Sequence, residues 1–167
     1  MTVIDTPLAK LTSLFRKLGA RDPESWARSE LDEGIPQLAR FLFLRQAWRK
    51  VISEDDGVWI SNEITRAKKR SDGPGAGAGL ALQRLLAAGA NPQDLTELVR
   101  VMQWQMLSRL CYLLEDPGDV EPEAARVAWA LFEVDADGNP GRPIDGLHES
   151  VLETDPNGRE MRPAPER

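Results

Sequence analysis

Apolar residues recur along the first two thirds of this chain at helical spacing, and short polar, Gly and Pro punctuation separates the repeats. Thr6-Pro7 reads as an N-cap with proline at the first helical position, where a missing N–H costs nothing. Leu8, Leu11, Phe15 and Leu18 follow on one face, and Gly19 suits the residue after a helix end. Asp22-Pro23 repeats the same start for a short helix carrying Trp26 and ending near Gly34. From Pro36, the residues Leu38, Phe41, Leu42, Arg45, Trp48 and Ile52 share a face, with Phe43, Leu44 and Val51 widening it. Asp56-Gly57 opens a fourth helix through Trp59, Ile60, Ile64 and Ala67. It closes in the basic run Arg66 to Arg70, which complements the helix dipole.

A glycine-rich stretch, Gly73 to Gly79, then reads as a flexible connector before a helix from Leu80 to Ala88. Asn91-Pro92 begins the longest helix, whose stripe is Leu95, Leu98, Val99, Met102, Met106, Leu110, Cys111 and Leu114. Pro122 starts a seventh segment through Val127, Trp129, Ala130 and Leu131; the run Leu131 to Val134 also fits a strand. The pattern predicts an all-α fold, a helical bundle or orthogonal array of about seven helices over residues 1–134. Residues 135–167 form an irregular acidic extension of turn chemistry. In it Leu147, Val151 and Leu152 are apolar enough to dock one helical turn on the body.

Composition narrows the functional classes. The 167 residues include one Cys, which excludes an internal disulfide and a cysteine zinc site, and one His, which excludes a His-rich one. No apolar run approaches the roughly 20 residues of a membrane span, and the first residues lack the pattern of a signal peptide. A cytoplasmic protein without a membrane partner is the resulting expectation. The net charge of −6 is unevenly distributed. Residues 1–114 carry 16 basic and 13 acidic side chains, net +3, and residues 115–167 carry 5 and 14, net −9. This balance argues against sequence-specific nucleic-acid binding and raises the question of what the acidic extension touches.

Candidate chemistry is sparse. Asp135-Ala-Asp137-Gly-Asn139 is similar to the opening of an EF-hand calcium loop, but Pro140 and Gly146 stand where that loop requires Gly and Glu. The glycine stretch lacks the Gly-Lys-Ser/Thr ending of a phosphate loop. Leu85 to Pro92 resembles the end of an ankyrin repeat over eight residues, without the Thr-Pro-Leu-His motif or any period near 33 residues. No catalytic set, metal or cofactor is therefore assigned. Cys111, on the apolar stripe, reads as a core residue.

The leading expectation is a non-catalytic module that binds a partner protein, in the manner of an immunity- or antitoxin-type inhibitor or a regulatory adaptor. Its candidate partner-binding residues are Trp104, Arg45, Arg49, Asp135, Asp137, Glu149 and Glu153. Trp104 stands off the methionine stripe as a potential anchor, and the basic residues of the third and fourth helices are an equally suitable seat for the chain's own extension. A homodimer formed by exchanging that contact is a further expectation. The alternative is a ligand-binding or enzymatic pocket lined by Trp and Arg near His148, with Trp48 and Trp59 in its wall.

Overall fold

The computed structural model describes residues 6–116, 118, 122–124 and 126–163. It is mostly helical, with seven α-helices and one two-stranded hairpin among the described residues. In chain order these are α1 (Pro7–Leu18), α2 (Pro23–Arg28), α3 (Gln37–Trp48), α4 (Trp59–Lys69), α5 (Ala76–Ala87) and α6 (Pro92–Glu115). They are followed by β1 (Phe132–Val134), β2 (Pro140–Pro143) and α7 (Leu147–Ser150). Two compact units divide the chain, residues 1–49 with 106–167 and residues 50–105.

The first unit is organised by aromatic contact. Thr6 Oγ1 accepts the N–H of Ala9 at 3.2 Å and Asp22 Oδ1 that of Ser25 at 3.1 Å, so the expected caps start α1 and α2. α2 runs on into a π-helical turn, Ser29–Glu33, which stops at Gly34. Phe15, Trp26 and Phe41 then meet in mutual contact, with ring centroids 5.2–5.9 Å apart; the two pairs involving Phe41 are edge-on. Edge-to-face rings add about 0.5–1.5 kcal/mol per pair beyond the area they bury. Leu8, Leu11, Leu18 and Leu38 pack around the trio.

The inward face of α3 holds the expected Phe41, Leu44 and Trp48, but Gln37 and Arg40 are buried with them and Leu42 is exposed. This face receives the C-terminal segment. Leu147 and Val151 are fully buried, and the Trp48 indole N–H donates to Val151 O at 2.9 Å and Thr154 Oγ1 at 3.2 Å. Arg21 holds the same segment from α1's end, donating to the carbonyls of Glu153 at 2.6 Å and Gly158 at 2.9 Å.

One expectation about the C-terminal third needs correction, whereas the strand reading of Leu131 to Val134 and the docked helical turn at Leu147 hold. The segment from Pro122 to Leu131 is a single 3₁₀ turn, Pro122–Ala124, followed at residues 127–130 by chain without regular structure. The β-branched and aromatic residues beyond it pair as β1 with β2, antiparallel, Phe132 opposite Pro143 and Val134 opposite Pro140. The seventh helix is α7, held by burial of Leu147 and Val151.

In the second unit, Trp59, Ile60 and Leu82 form the core with Ile52, Ile64, Leu86, Leu95 and Val99 around them. Arg100 Nη1 donates to Ile52 O at 2.9 Å and the Ile52 N–H donates to Gln103 Oε1 at 2.7 Å, fixing the chain before α4 to α6. Only the first part of the glycine stretch is a connector: Gly73 and Gly75 lie between α4 and α5, whereas α5 begins at Ala76 and includes Gly77 and Gly79. A Cβ on Gly79 would overlap Glu63 O and the Ala67 side chain, so the absence of a side chain is what lets α5 lie on α4. Gly77 faces open space. Gly79→Ala should therefore destabilise the protein by about 2 kcal/mol or more through overpacking. Gly77→Ala should leave stability unchanged or raise it by about 0.5 kcal/mol by its better helix propensity. Urea unfolding of the two variants checks the contrast, which equal effects would remove.

Candidate functional site

A groove of about 560 Å³ lies in the first unit between α3 and the hairpin. Its construction starts at the π turn. Glu30 Oε2 accepts the N–H of Leu38 at 2.6 Å and so caps α3, while Glu30 Oε1 accepts from Arg142 Nη2 at 2.8 Å. Arg142 also forks onto both carboxylate oxygens of Glu133, each at 2.8 Å, and reaches Gly34 O at 3.3 Å. Bidentate guanidinium–carboxylate geometry is the strong form of this contact. Hydrogen bonding to Glu133 and then Glu30 raises the pKa of Arg142 still further, so the fork stays charged. One arginine on β2 thus ties the hairpin to the start of α3.

The floor and walls are apolar, formed by Leu38, Ala39 and Leu42 of α3 facing Val134 and Pro140 of the hairpin. The margin is acidic. Glu30, Glu133 and Asp135 line it against a single cation, Arg142, which two of those carboxylates already neutralise. Leu42 and Val134 are 38% and 66% exposed, so the apolar surface is open to a partner.

The expected site residues fall in separate places. Asp135 and Asp137 meet in the hairpin turn, where Asp135 accepts the N–H groups of Asp137 and Asn139, both at 2.9 Å. Asp137 is exposed. Glu149 and Glu153 lie exposed on α7 and the turn after it. Arg45 is half-buried on α3, and Arg49 is exposed and donates to Gln46 Oε1 at 3.1 Å. Trp104, in the second unit, is not a projecting anchor: it is half-buried, and its indole N–H is enclosed without an acceptor.

The residues of the alternative pocket are used structurally. His148 stacks on Tyr112 with centroids 4.0 Å apart, and its Nδ1 lies 2.8 Å from Glu115 Oε2, joining α7 to the end of α6. Trp48 is buried under the C-terminal segment. Trp59, in the second unit, donates to Thr96 Oγ1 at 2.8 Å.

The stripe on α6 also needs correction. Leu95 and Val99 pack on the second unit's core and Cys111 is fully buried, but Leu98, Met102, Met106 and Leu110 are 48–60% exposed. Burial, reinforced by Glu115, pushes the Cys111 thiol up to about 11, as suits an inert core thiol. Among the described residues no three His, Cys, Asp or Glu side chains gather to hold a metal ion, and no helix is long and apolar enough to cross a membrane.

Arg142 and Glu30 were invisible as site residues in the sequence, since nothing in their spacing joins positions 112 residues apart. Searches among family models, curated proteins and solved structures find no match to this chain.

The turn that shapes the groove's mouth carries a pH dependence. The Asn139 side chain first, then backbone N–H groups, hold the Asp135 carboxyl below its ordinary value of 3.8. A carboxyl lowered in the folded state contributes stability that is complete above its unfolded pKa and is lost as pH falls through the folded one. The Asp137 and Asn139 amide resonances should thus stay fixed between neutrality and about pH 5 and move only in stronger acid. Movement of these resonances between pH 7 and about 5 would show that the carboxylate does not hold the turn.

Proposed function

We propose that this protein is a non-catalytic binding module whose groove between α3 and the β1–β2 hairpin takes an apolar segment, flanked by basic residues, from a partner protein. The observation that carries this reading is the pairing of an open apolar floor with a margin whose cation is already neutralised. Apolar contact supplies affinity where Leu42 and Val134 become covered, since removing apolar area from water is worth about 25 cal/mol per Å². The unmatched carboxylates select against acidic partners and steer basic ones, an effect that weakens with salt. The net −9 of residues 115–167 adds to the same field. An inhibitor of a basic protein, or an adaptor that recruits one, would use such a surface.

The test is affinity capture from the native cell with the intact chain and three variants. At low salt the wild type should retain a basic protein in one-to-one amount. Leu42→Asp and Val134→Asp, which place a buried charge in the contact, should each lose it at a cost of about 2 kcal/mol or more. Leu85→Asp, on the exposed side of α5, should retain it. Undiminished capture by the two groove variants would refute the assignment, as would capture that high salt leaves unchanged.

A further inference from the structure

A second cavity, about 250 Å³, lies in the first unit among α2, α3 and α7, and its lining is chemically unlike the groove. Its inner wall includes Arg40, which is 8% exposed. The hydrogen bond that the Arg40 guanidinium makes is from Nη1 to the neutral Ser150 Oγ at 3.3 Å, and its Nε is buried without an acceptor. Among the described residues no carboxylate stands within ion-pair distance of it. An arginine does not escape this situation by losing its proton, so a buried guanidinium without a counter-charge calls for one.

One turn earlier on the same face is Gln37, also 8% exposed and in the same lining. Its Nε2 donates to Ser29 Oγ at 2.9 Å, whereas its Oε1 is buried without a donor. Arg40 Nε and Gln37 Oε1 are both enclosed, so what the wall turns to the cavity is the cationic end of Arg40 beside the hydroxyl-bearing residues Ser25, Ser29 and Ser150. Toward solvent the lining ends in Glu33 and Glu153, both exposed. Gly146 closes the guanidinium from the α7 side. A Cβ there would meet the Arg40 guanidinium, and the backbone of Gly146 has a φ of +67°, a conformation that favours glycine.

We infer that this cavity binds a small zwitterion of the free amino-acid class. The carboxylate supplies the missing counter-charge to Arg40 and accepts from the serine hydroxyls. The ammonium faces the carboxylates of Glu33 and Glu153. A simple anion satisfies Arg40 but meets two carboxylates at the entrance; a simple cation meets Arg40. The volume lies below the roughly 300–1,000 Å³ of sites for larger organic ligands, which limits the side chain to a small one. This binding is independent of the groove, because none of its polar groups lines that surface.

Calorimetric titration of the full-length protein with each free proteinogenic amino acid, and separately with acetate, phosphate and methylammonium, tests the inference. At least one small amino acid should bind saturably, with acetate, phosphate and methylammonium each weaker by about tenfold or more. Arg40→Gln should abolish that binding. Glu33→Gln with Glu153→Gln, both exposed positions whose change leaves the core intact, should weaken it about tenfold. The double variant decides the matter if Arg40→Gln does not fold. Absence of binding by every amino acid overturns the inference. So does acetate or phosphate binding as tightly as the best amino acid, or a double variant with unchanged affinity.

Discussion

Capture of the C-terminal segment by α3 is the contact on which the first unit depends. Trp48 is 2% exposed and its indole N–H is satisfied by Val151 O, so the ring and the segment desolvate one another. A buried indole without that carbonyl would carry an unmet donor, at a cost of about 1–3 kcal/mol. With the bond made, Leu147 and Val151 are fully buried, as is Leu44 of α3, and Arg21 fixes the far end of the segment through three carbonyls. The hairpin that forms the groove joins directly to this segment through Ile144, itself buried. Loss of the segment would expose the inner face of α3 and leave the hairpin held to the start of α3 through Arg142.

The charge asymmetry acquires a structural meaning from these contacts. Several acidic side chains of the extension are engaged within the chain: Glu133 with Arg142, Asp135 with its own turn, Glu115 with His148, and Glu160 with Arg21 and Arg162. Surface pairs of this sort contribute little stability individually, but they set where the turns lie. The seat of the extension is formed by Arg21, Arg40 and Trp48, one cation at the end of α1 and two residues from the buried face of α3. The basic run Arg66 to Arg70, an equal candidate on composition, belongs to the second unit. An acidic tail is thus held mainly by backbone carbonyls and apolar side chains, with its remaining carboxylates left to define the field around the groove.

Local signals were legible in the sequence where chemistry acts over a few residues. Thr6-Pro7, Asp22-Pro23 and Asn91-Pro92 mark helix starts because the cap and the proline satisfy the first turn by themselves. Facing was less legible. On α3 the expected Phe41, Leu44 and Trp48 are buried, but positions 37 and 40 follow the same helical spacing as 38, 42 and 45, and the aromatic and C-terminal contacts decide which side completes the face. Hydrophobicity alone does not mark Arg40 as an inward residue. On α6 a wide apolar stripe exceeds what its neighbours cover, so half of it is solvent-exposed. Gly79 read as flexibility because an interhelical contact with Glu63 and Ala67 leaves no trace in local sequence. The Arg142 fork and the Gln37–Arg40 wall depend on residues far apart in the chain, which no spacing rule connects.

Hydrogen exchange on the intact chain addresses the central contact most directly. The Trp48 indole N–H and the backbone N–H groups of Ser150 and Thr154, which donate to Gly146 O and Ser150 O, report on the docked segment. If α3 and the C-terminal segment form one cooperative structure, these protons exchange with the same opening free energy as the amides of α3, and the two sets fall together as denaturant is added. Exchange of the segment's protons at near-unprotected rates, while α3 remains protected, would contradict the account.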